Sequence, residues 1–150
     1  GSFSRDSRGG SSMIVLDASA ACDMARQTED GLAFCSLMLS DEKVISCDLL
    51  RAESVSVFRK LCRKGIISAE EAQDCYMDSV SFVDEYYPIE EFQEEVLAES
   101  IRLNHSSYDM FYFVLARRFA ATLFTLDRKL IKLCENQGVQ CVAILENGEF

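Results

Sequence analysis

The sequence has few of the residues and runs that mark specialised protein classes. One proline and seven glycines in 150 residues exclude collagen-like and low-complexity chains. No apolar run approaches the roughly 20 residues that a bilayer-spanning helix needs, and the beginning of the chain lacks the pattern of a secretory signal. Because 49% of the residues are hydrophobic, the chain can bury a sizeable core. We therefore expect a globular protein that works in the cytoplasm without a membrane.

Paired cysteine and histidine ligands are missing as well. The seven cysteines are scattered without a C-x-x-C pair, and His105 is the only histidine. The odd number of cysteines argues against a disulfide framework. A zinc site built from these cysteines and His105 would lack the usual ligand spacing. We expect most of the cysteines to be small buried residues and His105 to lie on the surface.

Basic residues are outnumbered, 15 against 25 acidic ones, which gives a net charge of −10. This balance argues against binding of nucleic acid over the whole surface, although a local basic patch stays open. Residues 1–12 are polar, rich in glycine and serine and without periodicity, which is typical of an expression-tag remnant. We expect one domain over residues 13–150.

Short apolar segments alternate with helical ones along this domain. Within each apolar segment the residues are apolar without interruption, rather than apolar and polar in turn, which is typical of strands covered on both faces. The pattern predicts a three-layer α/β/α sandwich around a mostly parallel five-stranded sheet. The predicted helix N-caps are Asp48, Ser68 and either Ser106 or Ser107. Strands are predicted at 13–16, 44–46, 86–89, 121–125 and 139–144, and helices at 18–26, 31–40, 49–64, 68–82, 90–103, 108–120 and 127–136.

Two aspartates stand where a predicted strand ends and the next helix starts. Asp17 comes after Ile-Val-Leu and Asp127 after Leu-Phe-Thr-Leu, and ligands bind at the carboxyl edge of parallel sheets. Each is equally typical of a helix N-cap. Thr125 could orient a carboxylate or a water with its hydroxyl, although a threonine is also an ordinary strand residue.

Two further acids lie on predicted helices. Glu53 shares a face with apolar residues, so it must lose water unless it reaches solvent at the edge of that face. Asp109 opens a nearly all-apolar helix, where the helix dipole alone would favour it. We expect the aromatic residues at 111–113 in that helix to pack in the core.

Four carboxylates at one edge, with no histidine, lysine or cysteine expected to reach them, could not all stay ionised without a cation. A set of oxygen ligands alone selects a hard divalent ion, Mg²⁺ or Mn²⁺. Such an ion activates water for phosphodiester hydrolysis.

The same residues carry a resemblance to a known family. The stretches VLDASA at 15–20, LLRAES at 49–54, SYDM at 107–110 and TLDRKL at 125–130 resemble PIN-domain nucleases, most of all the VapC-type toxins of toxin–antitoxin pairs. The resemblance spans nearly all of residues 13–142.

The resemblance implies catalytic and metal-ligating roles for Asp17, Glu53, Asp109 and Asp127, with Thr125 and Ser19 as supporting hydroxyls. It implies metal-dependent endonucleolytic cleavage of single-stranded or structured RNA, a homodimer, and a cognate antitoxin that covers the acidic pocket. A rim of lysine and arginine side chains could hold RNA phosphates, although the basic residues at 59–64 are also typical of a solvated helix end. The candidates are Arg51, Arg59, Lys60, Arg63, Lys64, Arg117, Arg118, Arg128 and Lys129.

Two alternatives stay open. The first is a PIN-like binding module that uses the pocket for docking without cleaving anything. The second is a phosphatase or receiver domain, which fits poorly because a haloacid-dehalogenase-like phosphatase needs an aspartate where this chain has Ser19.

Overall fold

The computed structural model describes residues 12–38 and 41–144, and the five strands described there form one parallel sheet in the order β3-β2-β1-β4-β5. This confirms the predicted fold class, and every described strand pair is parallel. The strands are β1 (Met13–Leu16), β2 (Lys43–Cys47), β3 (Glu85–Tyr87), β4 (Thr122–Phe124) and β5 (Cys141–Val142).

Seven α-helices and one 3-10 turn connect the described strands. The turn covers Ile89–Glu91. The helices are α1 (Ala18–Arg26), α2 (Glu29–Leu37), α3 (Leu49–Arg63), α4 (Ala69–Ser81), α5 (Gln93–Leu103), α6 (Ser107–Phe119) and α7 (Arg128–Gln137).

Strand order and crossover handedness place the helices in two layers. The chain moves outward from β1 through β2 to β3, then returns to β4 on the other side of β1. With right-handed crossovers, α1–α4 cover one face and α5–α7 the other. The contacts agree, because α1 packs on α2, α3 and α4, whereas α6 packs on α5, α7 and the central strands. The carboxyl ends of β1 and β4 therefore flank the point where the strand order reverses.

Burial explains why the sheet forms from these segments. The side chains of Ile14, Val15 and Leu16 on β1 are fully buried, as is Phe124 on β4, whose ring stacks on Phe34 of α2 with centroids 5.4 Å apart. Strands buried on both faces need continuous apolar runs, which is the signal that predicted them. In the described part of the chain, no helix is long and apolar enough to cross a membrane.

Several local expectations were wrong. Asp48 occupies the N-cap position of α3 but makes no capping bond, because its carboxylate accepts from the backbone N–H of Ile89 at 3.0 Å. Ser106 likewise makes no side-chain cap for α6, whereas Ser68 forms the predicted capping box with Glu71. Helix α2 begins at Glu29, because the Thr28 hydroxyl accepts from the Gly31 N–H at 3.0 Å.

The predicted end of this helix at residues 38–40 falls partly outside the described residues. Strands β4 and β5 are shorter than predicted. Of the seven cysteines, only Cys22, Cys47 and Cys134 are buried. Cys35 is exposed, so burial of most cysteines was also a wrong expectation.

Candidate active site

The four predicted carboxylates line one cavity of about 280 Å³. It opens at the carboxyl edge of the sheet, between α3 and α6 and beside the first turns of α1 and α7. Apart from one lysine amine, the polar side-chain atoms in its wall are oxygens. The lining residues are Asp17, Ala18, Ser19, Glu53, Ser56, Val57, Lys60, Asp109, Tyr112 and Asp127.

Asp17 is held in place from three directions. Its Oδ1 accepts from the Ala20 N–H at 2.9 Å and from the Ser19 hydroxyl at 2.7 Å, and its Oδ2 accepts from the Thr125 hydroxyl. Burial raises the pKa of Asp17 from its ordinary value of 3.8 to about 7, although these hydrogen bonds pull the pKa down. The negative charge of Glu53 adds to the rise. Protein donors alone therefore do not offset the loss of water around this carboxylate.

The two predicted hydroxyls join β1 to β4. The Ser19 hydroxyl accepts from the Leu126 N–H at 2.9 Å, and the Thr125 hydroxyl accepts from the Asp127 N–H at 3.0 Å. Each hydroxyl thus donates to Asp17 and accepts from the segment that carries Asp127. They fix the distance between the two strand ends where the first and last carboxylates stand.

Glu53 comes from the middle of α3 and faces the cavity rather than bulk solvent. Its Oε1 accepts from the Tyr112 hydroxyl at 2.5 Å. Burial raises the pKa of Glu53 against the effect of this bond, and the charge of Asp109 raises it further. Tyr112 was expected to be a core residue only. It is buried, but it also lies three residues after Asp109 on α6, a spacing that puts both on one helix face.

Asp109 and Asp127 form the other side of the cavity. Burial raises the pKa of Asp109, and the neighbouring Asp127 carboxyl adds to the rise. His105 opposes it, because its Nε2 lies 3.3 Å from Asp109 Oδ2. The His105 side chain is only 13% exposed, so the expectation of a surface histidine was wrong. Asp127 Oδ1 caps α7 by accepting from the Leu130 N–H at 3.0 Å.

Most candidates of the predicted basic rim do not line the cavity wall. The Arg51 guanidinium lies 3.9 Å from the centroid of the Tyr86 ring, and Arg128 lines a separate cavity of about 320 Å³. Lys129 is exposed on the first turn of α7.

Arg117 and Arg118 are paired with glutamates of α5, at 3.1 Å and 2.7 Å from Glu95 respectively. Neither arginine lines the acidic cavity. Lys60, another candidate of the predicted rim, does line the cavity, although no lysine was expected to reach the four carboxylates themselves.

The chemistry of the cavity wall fits a hard divalent cation, because carboxylate and hydroxyl oxygens are the ligands that Mg²⁺ and Mn²⁺ prefer. Among the described residues, however, no three His, Cys, Asp or Glu side chains are grouped so that they could hold a metal ion as they stand. The four carboxylates line one cavity while several of their oxygens accept protein hydrogen bonds. Their role as metal ligands stays a prediction.

Comparison with known proteins agrees with this geometry. The sequence profile of the PIN domain matches residues 14–136. The chain belongs to the PIN domain family. PIN domains are in general nucleases that act on nucleic acid with divalent metal ions.

The crystal structure of PAE2754 from Pyrobaculum aerophilum is similar, with a TM-score of 0.62 and 20% sequence identity over 82% of this chain and 86% of that one. At that identity the likeness concerns the fold alone. Among curated proteins, no match was found.

Proposed function

We propose that this PIN domain is an endoribonuclease that uses Mg²⁺ or Mn²⁺ to hydrolyse phosphodiester bonds in single-stranded or structured RNA. The supporting observation is the single cavity lined by four carboxylates at the carboxyl edge of the sheet. Burial and mutual repulsion raise the pKa of three of them, which is the situation that a bound cation relieves. The proposed ligands are Asp17, Glu53, Asp109 and Asp127.

When bound, the metal ion supplies Lewis-acid activation of a water and neutralises charge on the phosphate. The protein groups around it have separate tasks. The hydroxyls of Ser19 and Thr125 fix the Asp17 carboxylate, and the Tyr112 hydroxyl fixes Glu53. His105 contacts Asp109 from the loop before α6. These bonds orient the carboxylates before any ligand arrives, which reduces the reorganisation that binding requires.

We further propose that the protein is the toxin of a toxin–antitoxin pair, acts as a homodimer in the cytoplasm, and is inhibited by a cognate antitoxin. The four sequence stretches that resemble VapC-type toxins support this finer assignment.

The test is digestion of a panel of single-stranded and structured RNAs with Mg²⁺ or Mn²⁺. The same digestions are repeated with EDTA and with Asp17→Asn. We expect cleavage by the parent with metal and none in either control. Cleavage that persists in EDTA would reject the metal-dependent mechanism.

A catalytically inactive binding module is the second candidate. It is favoured by one observation, that no three His, Cys, Asp or Glu side chains in the described residues are grouped so that they could hold a metal ion. Metal binding without cleavage of any RNA in the panel would favour this module over the nuclease.

A further inference from the structure

We infer that Lys60 is a substrate-binding residue that contacts an RNA phosphate at the mouth of the acidic cavity. This inference rests on the proposed function for the identity of the substrate. It starts from a local contrast of charge, because four carboxylates and one cation share the wall of a single cavity.

The position of Lys60 follows from helix geometry. Glu53, Ser56, Val57 and Lys60 are spaced by three, four and seven residues on α3, so they share one face, and all four line the cavity. Seven residues advance an α-helix by about 10 Å. Lys60 therefore stands well beyond Glu53 along the helix, where its side chain is exposed.

Lys60 makes no ion pair with any described residue, although the cavity it lines is acidic. Other cations of the chain are differently placed: Arg117 bonds Glu95 and Glu99, and Lys43 pairs with Glu85. A lysine beside four carboxylates but not bonded to them keeps all three ammonium donors for a ligand. An RNA strand that approaches this cavity brings phosphates into a negative field, and an ammonium at the mouth offsets that repulsion.

The dipole of α3 favours every basic residue at its end, so it does not explain why one of them lies at the acidic cavity. Lys60 and Arg63 are in the last turn, and Lys64 follows it. Of these three, only Lys60 lines the acidic cavity. Lys64 therefore provides a matched control, since Lys64→Ala removes the same charge directly after the end of the same helix without changing the cavity wall.

The first measurement is RNA binding without catalysis. A fluorescein-labelled single-stranded RNA of mixed sequence is titrated in EDTA with the parent, Lys60→Ala, Lys60→Arg and Lys64→Ala, at several salt concentrations. We expect Lys60→Ala to weaken binding by about tenfold, the size of one lost charged hydrogen bond. The slope of log affinity against log salt should shrink by about 0.7, as for one phosphate contact on a single strand. Lys60→Arg should restore most of the affinity, and Lys64→Ala should lose much less.

The second measurement is steady-state cleavage with Mn²⁺. For Lys60→Ala we expect a raised KM with little change in kcat, because the contact is not made to the reacting atoms. Melting temperatures with and without Mn²⁺ should match the parent, since an exposed lysine is neither a core residue nor a metal ligand.

Equal binding losses in Lys60→Ala and Lys64→Ala would overturn the inference, because the effect would then be general charge. So would a fall in kcat at constant KM, or no rescue by arginine. One outcome separates the two proposals. If the parent does not cleave RNA but Lys60→Ala alone loses RNA binding, the phosphate contact stands and the nuclease proposal fails. If the parent cleaves and Lys60→Ala behaves like Lys64→Ala, only the phosphate contact fails.

Discussion

Replacement of Asp17 by asparagine should make the metal-free protein more stable at neutral and alkaline pH. The carboxylate of Asp17 is buried, and its pKa in the folded protein is about 7 against an ordinary value of 3.8. Between these two values the folded state binds more protons than the unfolded state. The free energy of unfolding therefore falls as pH rises through this window. The full cost is present above pH 7, and it disappears below about pH 4.

The size of the effect follows from the two pKa values. A shift from 3.8 to about 7, at about 1.4 kcal/mol for each pKa unit, destabilises the ionised form by about 4 kcal/mol. Asparagine is isosteric with the protonated acid, and its oxygen can still accept from Ala20 and Ser19. For a chain of this size, that difference corresponds to roughly 10 °C in melting temperature.

The assay is thermal unfolding of the parent and of Asp17→Asn in EDTA from pH 4 to pH 8. The two proteins should melt at similar temperatures at pH 4, and the variant should melt at increasingly higher temperatures than the parent toward pH 8. Adding Mn²⁺ at pH 8 should stabilise the parent by about 2.7 kcal/mol at a hundredfold excess over the dissociation constant. The variant should gain much less.

Two results would refute this reasoning. A constant difference in melting temperature across the whole pH range would mean that Asp17 does not titrate between its unfolded and folded pKa values. A variant that melts below the parent at pH 8 in EDTA would mean that the ionised carboxylate stabilises the fold through its three hydrogen bonds. In that case, desolvation would be the smaller effect.

Three further predictions test other parts of the site and fold. Asp109→Asn should have a melting temperature in EDTA no lower than that of the parent, gain less stability from Mn²⁺ and lose RNA cleavage. A lower melting temperature with normal cleavage would mean that Asp109 is a structural residue. Tyr112→Phe should destabilise the protein by about 1 kcal/mol through loss of its bond to Glu53, measured by urea unfolding, and an unchanged midpoint would contradict this contact. Gly31→Ala should cost about 3 kcal/mol or more, because a Cβ there would lie 2.0 Å from the Asp23 carbonyl oxygen; a parent-like melting curve would refute the close approach of α1 and α2.

The sheet and the positions of the acidic residues could be predicted because their signals are local. The run Met13–Leu16 is wholly apolar, which is typical of a strand covered on both faces. Asp17 follows it directly, and Asp127 stands after the next central strand, so parallel pairing brings both to one edge. These inferences need only chain direction and side-chain type.

The side chains that complete the site depend on contacts between distant elements. Tyr112 reaches Glu53 from 59 residues away, and Asp48 bonds the backbone of Ile89, which is 41 residues distant. Neither contact leaves a spacing pattern in the sequence. The pairing of Arg117 with α5 had a similar origin, because it required knowing that α5 and α6 pack side by side. The contact between His105 and Asp109 was missed for a different reason. The two residues are four apart, which is a helical spacing, but His105 lies in the loop before α6 and the pattern is not expected to extend there.

The sequence posed the two strand-end aspartates as either helix caps or cavity ligands, and the structure shows why the two roles are compatible. Asp17 caps α1 through Oδ1, and Asp127 caps α7 through Oδ1. A carboxylate has about four acceptor positions, and a cap uses only one of them. The cap fixes the side chain relative to the helix that begins at that strand end. The fold itself therefore holds at the cavity wall those acceptor positions that the caps and, for Asp17, the Ser19 and Thr125 hydroxyls leave unused. Loss of the cap would therefore disturb the cavity as well as the helix, and a substitution that separates the two roles must keep the cap acceptor, as asparagine does.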